Sequence, residues 1–426
     1  MQLVKEESLT KTIAEWAAEC GASEQDIIDV ATWFTSHGKK AVVDIHRGVS
    51  QHTNGFFSVG SWMLLNQLLG NNSWLGGSSQ LSTYSATTGH YPVADQPGKI
   101  TGFGINNIRY GIKYETTTIY NDLVKQSLPA YPAKRQWYYL ASDVYQEIIP
   151  SAGDAYPYPI KILISYMGAP MYSLPAGQTN IDILSDVNKI PLYIANDIMV
   201  GPTSMYADYI FPEVTYLERW EFHGSHPSII YKVQPVRTPV APPLTENVTV
   251  FGQNMPNCLE AMLFSIAEKA NLPGFGTNGF ASGVDLKHPD DFYIRMVTNV
   301  AVSASSLIGT ADQAEIDAFT KARRYLPASV FDVMRWSTIA GSNWNKVIYL
   351  LNRGGAFEDF TTGKTNSTYP GCIKNTYSKS GQNLINIYQE KTATTIDAIT
   401  GKIFSGIPTF KPIADSQDNP LVFGPE

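Results

Sequence analysis

Cysteine is scarce in this chain, with three residues in 426. Cys20, Cys258 and Cys372 lie far apart, and the sequence contains no C-x-x-C pair and no group of four. This spacing excludes an iron–sulfur cluster held by the chain's own cysteines. Cys20 and Cys258 each fall at an amphipathic helical pattern, so we predict that both are buried structural thiols.

Basic clusters and long apolar runs are also lacking. The formal net charge is −7 and charged residues make up 16% of the chain, which argues against nucleic acid as a partner. The opening stretch MQLVKEESLTKTIAEWAAECG is acidic and amphipathic, unlike a signal peptide or a membrane span. Because the chain opens directly in a helical pattern and stops in the extended stretch DNPLVFGPE, we expect an internal piece of a longer protein.

What remains is the composition of a globular protein with 43% hydrophobic residues, long enough for two or three domains. Apolar spacing predicts helices over Leu9–Cys20 and Glu24–His37, a buried strand at Ala41–Ile45 and a long helix over Phe57–Leu69. This alternation is typical of an α/β domain.

The middle of the chain repeats the pattern. A strand at Lys161–Tyr166, a helix at Thr179–Val187 and a strand at Pro191–Ala195 predict one βαβ unit with a parallel sheet. Further along, we predict helices over 255–271, 292–301, 311–324 and 327–340, and strands at 346–351 and 384–388. We divide the chain into a first cofactor-binding lobe at 1–92, a connection at 93–154, a second cofactor-binding lobe at 155–275 and a mostly helical region at 276–426.

The most informative stretch is Ile190–Glu221, IPLYIANDIMVGPTSMYADYIFPEVTYLERWE. Its first strand ends in Asn196-Asp197, and a carboxylate at the carboxyl end of a buried strand is where an open α/β sheet holds a nucleotide. A carboxylate can also accept both N–H donors of a guanine edge. Asp208, beside the second short strand at Tyr209–Phe211, is predicted to be structural.

Two further loops follow buried strands. In the first, Gly48 allows close backbone approach, while Arg47 and Gln51 offer donors to a pyrophosphate or a polar heterocycle. The loop could equally be an ordinary strand–helix turn. In the second loop Gly168 offers backbone N–H groups, although a plain proline-containing turn would look the same.

Three other motifs have simpler explanations. Arg219 is either a nucleotide contact or the partner of Glu218 in a surface ion pair. His223 and His226 form an H-x-x-H in a loop with no third ligand near, so we do not predict a metal site. The run Asn352–Gly355 follows a predicted apolar strand, and we interpret it as a turn and not as a phosphate cradle.

Several of these residues stand in the register of a family signature. Along the informative stretch, the matching positions are Asp197, Thr203, Asp208, Pro212 and Glu218, and the first loop matches G-x-x-Q-H-x-x-G. The chain therefore resembles the molybdopterin enzymes of the dimethyl sulfoxide reductase family. The resemblance implies Rossmann-like parallel-sheet lobes, with added irregular and helical segments, around a molybdenum bis(molybdopterin guanine dinucleotide) cofactor. The residues it implies as contacts are Arg47, Gly48, Gln51, Gly168, Asn196, Asp197 and Arg219. Ala169 stands where the family usually has asparagine.

The resemblance extends to the branch of that family that contains tetrathionate and respiratory arsenate reductases. It implies cleavage of tetrathionate to thiosulfate in anaerobic respiration, a periplasmic location, and two partners: an iron–sulfur electron-transfer subunit, with a membrane anchor subunit. The molybdenum ligand and a 4Fe-4S cluster would lie outside this chain, so we expect the chain alone to be inactive and name no catalytic residue. The alternatives are an arsenate or polysulfide/thiosulfate reductase, a non-catalytic α/β nucleotide-binding module, and a scaffold that has lost its metal site.

Overall fold

A computed structural model describes residues 2–44, 49, 55–72, 74–78, 83–93, 114–134, 148–156, 158–174, 177–223, 232–358 and 390–406. Its helices are α1 (Gln2–Ser8), α2 (Ile13–Cys20), α3 (Glu24–Ser36), α4 (Gly55–Leu69), α5 (Thr118–Lys125), α6 (Ile148–Gly153), α7 (Pro170–Ser173), α8 (Gly177–Leu184), α9 (Leu259–Ala270), α10 (Pro289–Ser303), α11 (Gln313–Arg323), α12 (Val333–Ala340), α13 (Trp344–Asn352) and α14 (Glu390–Ala393). Its strands are β1 (Leu163–Tyr166), β2 (Tyr193–Asp197), β3 (Tyr209–Pro212), β4 (Glu221–Phe222), β5 (Val233–Arg237), β6 (Asn247–Val250), β7 (Gln253–Pro256), β8 (Gly276–Ala281), β9 (Val284–Leu286) and β10 (Gly355–Phe357).

The centre of the fold is a three-stranded parallel sheet in the order β1-β2-β3. Helices α6 and α8 contact one another on this unit, and their apolar residues share a core with the sheet: Ile149, Ala152, Ile183, Leu184, Ile190, Tyr193 and Ala195. The predicted βαβ unit is confirmed, and with it the α/β class of the fold.

A group of antiparallel strands and a group of helices follow this sheet. In one, β4 and β10 flank β5, and the hairpin β6–β7 packs with α9 around Val250, Met255 and Phe264. In the other, α10, α12 and α13 bury Ile294, Trp336 and other apolar residues in a large core that also holds Trp220 and Val236. The region from α10 to α13 is thus largely helical and shares its core with β4–β5.

The predicted helix over Leu9–Cys20 is interrupted in the structure. Helix α1 ends at Ser8, and α2 starts after Thr12, whose side chain accepts from the Glu15 backbone N–H while Glu15 accepts from the Thr12 backbone N–H. This capping box gives the helix a better start at Ile13 than continuation through Leu9 would. Gly21 ends α2 in the left-handed conformation (φ 71°).

The predicted strand at Ala41–Ile45 is wrong over residues 41–44, which belong to no strand of the described sheets. Side chains make hydrogen bonds to the backbone groups of this extended segment instead. Asn66 on α4 accepts from the Val43 backbone N–H at 2.8 Å and donates to the Val43 carbonyl at 2.9 Å, and Asn71 donates to the Ala41 carbonyl. These amide groups take the hydrogen bonds that a neighbouring strand would otherwise make.

Three other predictions meet different outcomes. Residues 346–351, predicted as a strand, lie in α13, because Val347, Ile348 and Leu351 share one buried helical face. The predicted helix over 255–271 begins late, since Met255 and Pro256 belong to β7. The strand predicted at 384–388 lies outside the described residues. The division into four domains stays a prediction.

The cysteines differ from the prediction in one respect. Cys258 is buried, as predicted, whereas the prediction is wrong for Cys20, which is exposed at the carboxyl-terminal end of α2. Cys372 lies outside the described part of the chain. Among the residues that are described, no helix combines the length and apolar character needed to cross a membrane.

Candidate functional site

The carboxyl ends of β1, β2 and β3 meet at one edge of the parallel sheet. The strand register places Tyr166 opposite Asn196, Asn196 opposite Phe211, and Asp197 opposite Pro212. The loops that leave this edge carry the residues predicted from the sequence. An edge of this kind is where open α/β sheets bind their ligands.

Asn196 is fully buried at this edge. Its amide nitrogen lies 3.5 Å from the Phe211 carbonyl oxygen and 3.4 Å from that of Pro212, whereas its Oδ1 has no hydrogen-bond partner in the described part of the chain. A buried acceptor without a donor is unusual in a folded protein. A hydrogen-bond donor on a bound ligand would therefore be stabilised by Asn196 Oδ1.

Asp197 is half-buried at the start of a tight loop. Its Oδ1 accepts the Ile198 backbone N–H at 2.8 Å. The loop is closed by Ser204, whose Oγ accepts the Gly201 backbone N–H at 2.7 Å. A Cβ on Gly201 would make ordinary contact with Asp197 Oδ2, at 3.6 Å. Within the described residues, the hydrogen bond of the carboxylate is made by Oδ1.

Asp208 has the structural role predicted for it. Its Oδ2 accepts the Tyr193 backbone N–H at 2.8 Å, and its own backbone N–H donates to the Tyr193 carbonyl at 2.8 Å. These two bonds hold the start of β3 against the start of β2, at the opposite end from Asp197. Asp208 therefore positions the sheet and lies away from its carboxyl edge.

Arg219 connects this edge to the antiparallel sheet. One of its terminal nitrogens donates to the Tyr166 hydroxyl and lies 3.2 Å from Met167 Sδ, and the other lies 3.2 Å from a Glu221 carboxylate oxygen. The alternative of a surface pair with Glu218 is wrong, because the Glu218 carboxylate accepts the backbone N–H groups of Thr215 and Leu244 instead. Arg219 thus faces the loop after β1.

Gly168 lies in that loop, next to Met167. Met167 has a left-handed backbone (φ 51°), and its N–H donates to the Asn196 carbonyl at 3.2 Å. The structure therefore brings Gly168, Asn196, Asp197 and Arg219 to one edge of the sheet.

Three predicted contacts, Arg47, Gly48 and Gln51, lie outside the described residues, as does His226 of the H-x-x-H motif.

Sequence reasoning missed three residues beside Arg219. The Tyr216 ring lies under its guanidinium, and Glu221 and Arg237 are paired across β4 and β5. The spacing of Arg219 and Glu221 was a usable signal, because residues two apart in an extended segment face the same side. Tyr216 and Arg237 carry no comparable signal in the sequence.

Comparison with known proteins gives close relatives. The chain is 41% identical to the selenate reductase A subunit of Mesobacillus selenatarsenatis, over 98% of this chain and 39% of that protein. It is 32% identical to the tetrathionate reductase A subunit of Salmonella typhimurium, over 97% of this chain and 39% of that protein. A shorter match, 35% identical, covers 24% of this chain and 14% of the molybdopterin-containing subunit of Salmonella typhimurium thiosulfate reductase.

The chain is similar to catalytic subunits of the molybdopterin oxidoreductase family. No family model matches it, so the similarity rests on these relatives. The chain spans 39% of the length of the selenate and tetrathionate reductase subunits that it matches.

A small cleft of about 50 Å³ is lined in part by Arg219 and therefore adjoins the carboxyl edge of the sheet. Its lining includes Glu218, Arg219, Trp220, Cys258, Glu260, His288, Asp290 and Tyr293. The floor is an aromatic cluster in which the Trp220 ring stacks 5.6 Å from Tyr293 and lies 4.9 Å from Trp336. The cleft is therefore built mainly from the antiparallel sheet and the helical core.

One group in the described residues has donor atoms close enough to share a metal ion. The donor atoms of Glu213, Cys258 and Glu260 lie within 4.8 Å of one another. Glu213 accepts the Leu259 backbone N–H at 2.9 Å, and Glu260 accepts from the Cys258 thiol at 3.3 Å and the Tyr293 hydroxyl at 2.7 Å. Burial raises the pKa of Cys258 well above its usual range, so the thiol stays protonated. We interpret Glu213 as the acceptor for the first backbone N–H of α9, with Cys258 and Glu260 hydrogen-bonded beside it.

The pKa values of His288 and Asp290, at the start of α10, are shifted in opposite directions. Burial raises the pKa of Asp290 to about 6, whereas burial, followed by the charge of Arg335, lowers the pKa of His288 to about 4. His288 is therefore neutral at pH 7, and its Nδ1 accepts the Asp290 backbone N–H at 3.1 Å. The 3.4 Å approach of Nδ1 to the Asp290 carboxylate is accordingly not an ion pair.

Replacing His288 with asparagine is expected to reduce acid sensitivity. In the unfolded chain His288 becomes protonated below about pH 6.5, whereas in the folded protein it becomes protonated only near pH 4. The free energy of unfolding therefore decreases as the pH falls between these two values. Asparagine still caps α10 but binds no proton. Between pH 7 and pH 5 the variant should therefore lose about 1–2 kcal/mol less than the parent. Thermal scans across pH measure this difference. His37→Asn, at an exposed position, should behave as the parent, and equal acid sensitivity of all three proteins would contradict the assignment.

Proposed function

We propose that this chain contributes to the cofactor site of a molybdopterin-dependent reductase. The observation that carries the proposal is the pair of unsatisfied polar atoms at the carboxyl edge of the parallel sheet, Asn196 Oδ1 and Arg219 Nε. Neither has a hydrogen-bond partner among the described residues, although buried polar groups are normally paired. A ligand with donors and negatively charged oxygens would suit this edge, and a pterin guanine dinucleotide carries both.

The residues of the edge suit different parts of such a ligand. The Asp197 carboxylate would accept from the N–H groups of a guanine edge, and Arg219 would donate to a neighbouring oxygen. Gly168 would offer its backbone N–H next to Met167. From the family signature we assign Arg47, Gly48 and Gln51 to the same cofactor. When bound, the molybdenum–pterin group supplies the redox chemistry, while the protein supplies binding, orientation and electrostatics.

The exact chemical form of the cofactor is proposed from the resemblance to the family. We propose molybdenum bis(molybdopterin guanine dinucleotide), with a 4Fe-4S cluster held outside this chain. As partners we further propose an iron–sulfur electron-transfer subunit, with a membrane anchor subunit, in a periplasmic location. These proposals rest on the match between this sequence and the family signature.

We propose tetrathionate as the substrate, cleaved reductively at its central S–S bond to give two thiosulfate ions. A specific observation also favours selenate, because the chain is 41% identical to a subunit of a selenate reductase and 32% identical to a subunit of a tetrathionate reductase. Both substrates are small anions of group 16 elements that are reduced by electron transfer. The two candidates therefore differ in the product, and a direct assay separates them.

The test is an anaerobic assay of the full-length gene product with a reduced viologen dye as electron donor. Tetrathionate, selenate, arsenate and thiosulfate are offered separately, and products are identified by ion chromatography. We expect dye oxidation with thiosulfate as the product from tetrathionate, or with selenite as the product from selenate. Dye oxidation by arsenate alone would contradict both substrates while leaving the family role in place.

The matched variants are Asp197→Asn at the sheet edge and Asp182→Asn on the exposed face of α8. Asp197→Asn replaces one acceptor oxygen by a donor and should lower the rate at least about tenfold through loss of bound cofactor. Asp182→Asn should keep the parent rate. Full activity in Asp197→Asn would remove this carboxylate from the cofactor site.

A further inference from the structure

Two arginines and an exposed tyrosine form a cationic surface beside the carboxyl edge. The Arg219 guanidinium carbon lies 5.2 Å from the centre of the Tyr216 ring, and that of Arg237 lies 5.9 Å from the same centre. The Tyr216 side chain is nevertheless 60% exposed. We refer to Tyr216, Arg219 and Arg237 as the arginine–tyrosine surface.

A single carboxylate oxygen holds the two arginines together. Glu221 Oε2 lies 3.2 Å from a terminal nitrogen of Arg219 and 3.5 Å from one of Arg237. Glu221 and Arg237 are directly opposite one another in the pairing of β4 with β5, so the backbone fixes this arrangement. The two guanidinium groups therefore share one carboxylate oxygen of Glu221, and the Glu213 carboxylate also acts on Arg219.

The hydrogen-bonding capacity of the two guanidinium groups is also in excess. Arg219 Nε and two nitrogens of Arg237 have no hydrogen-bond acceptor in the part of the chain that the structure describes. The Glu221 contacts are ion pairs that fall short of hydrogen-bond geometry. Guanidinium groups match the oxygens of a phosphate in pairs, and they also stack on aromatic rings.

The position of this surface connects it to the cofactor site. Arg219 contacts Tyr166, the last residue of β1, and Met167 in the loop after it, while Arg237 is the last residue of β5. The Arg237 side chain is 37% exposed as a whole, although its Nε and one terminal nitrogen are themselves buried. A ligand seated at Asp197 and Arg219 would have a second arginine within reach of a negatively charged group.

We propose that Arg237, together with Arg219 and Tyr216, binds a pyrophosphate group. The unpaired guanidinium nitrogens call for an acceptor, the two neighbouring guanidinium groups favour phosphate oxygens, and the exposed ring gives a stacking surface beside them. In the reductase this group is the pyrophosphate of the dinucleotide cofactor, an assignment that rests on the proposed function. Two residues of the site, Tyr216 and Arg237, lie outside the family signature.

The first measurement is the affinity of the full-length gene product, prepared in a host that cannot make the cofactor, for inorganic pyrophosphate by calorimetry. Arg237→Gln should weaken binding about tenfold or more, since it removes a charge-assisted contact. Arg237→Lys keeps the charge and loses the paired donors, so its affinity should fall between the two. Arg324→Gln, at an exposed arginine just after α11, should bind as the parent does. Equal affinities of the parent, Arg237→Gln and Arg237→Lys would overturn the proposal.

A second measurement separates this inference from the proposed function. The same variants are loaded in a cofactor-producing host, and guanosine monophosphate released by acid is quantified per protein. A parent protein that releases nucleotide alongside an Arg237→Gln variant that releases much less supports the inference. Equal release from both variants and parent overturns it. A parent that releases none contradicts the proposed cofactor, and in that case the pyrophosphate affinities alone decide whether Arg237 binds phosphate.

Discussion

Gly355→Ala is expected to destabilise the protein by about 3–5 kcal/mol. Gly355 has a φ of 137°, and a Cβ built on it would lie 2.3 Å from the Gln234 carbonyl oxygen and 2.8 Å from Pro235 Cα. Both neighbours are backbone atoms of β5, which pairs with β10 in a fixed register. Neither can move aside without breaking that pairing. The loss is measured as a lower thermal midpoint of the full-length gene product.

The neighbouring glycine is the matched control. Gly354 also has a positive φ, 72°, but a Cβ there meets nothing within 4 Å. Gly354→Ala should therefore cost about 1–2 kcal/mol from backbone strain alone. An equal loss of stability in the two variants would contradict the close approach of β10 to β5. The comparison also tests the interpretation of Asn352–Gly355 as a helix-to-strand turn.

Asp290→Ala is expected to cost about 3–5 kcal/mol. The carboxylate is buried and accepts from the indole N–H of Trp220 at 3.2 Å and of Trp336 at 2.8 Å, with Arg335 at 3.3 Å. Alanine would leave two buried indole donors and one arginine without their acceptor. Near-ultraviolet circular dichroism should lose signal from these tryptophans together with a lower thermal midpoint.

Two variants bracket this result. Asp290→Asn keeps one acceptor oxygen and should lose less stability than Asp290→Ala. Asp317→Ala, at an exposed position on α11 where the carboxylate accepts from Gln313, should change stability by less than about 0.5 kcal/mol. An Asp290→Ala protein as stable as Asp317→Ala would remove Asp290 from its role as the common acceptor.

The carboxyl edge of the sheet could be predicted because the residues that form it lie close together in the sequence. A buried strand that ends in Asn196-Asp197, a glycine-containing loop and a second strand closed by Pro212 follow one another within a short stretch. Parallel strands buried on both faces appear as continuous apolar runs, and Pro and Gly mark their ends. The structure confirmed each of these elements close to its predicted bounds.

Other parts of the site depend on residues that are distant in sequence. The two tryptophans that donate to Asp290 lie 70 and 46 residues away along the chain, and no spacing rule brings them together. The strand predicted at Ala41–Ile45 failed because the side chain of Asn66, 23 residues away, satisfies Val43. The error at α13 has another cause, since a short apolar run does not distinguish a strand from a buried helix.

The most direct test of the proposed cofactor role is the metal and nucleotide content of the full-length gene product. It is purified without oxygen from a host that makes the molybdenum cofactor, and molybdenum and acid-released guanosine monophosphate are measured per protein. We predict molybdenum in the parent and in Asp182→Asn, with guanosine monophosphate released alongside it, and at least about tenfold less of both in Asp197→Asn. A folded parent protein that contains neither molybdenum nor guanine nucleotide, and that binds a simple mononucleotide instead, would contradict this account.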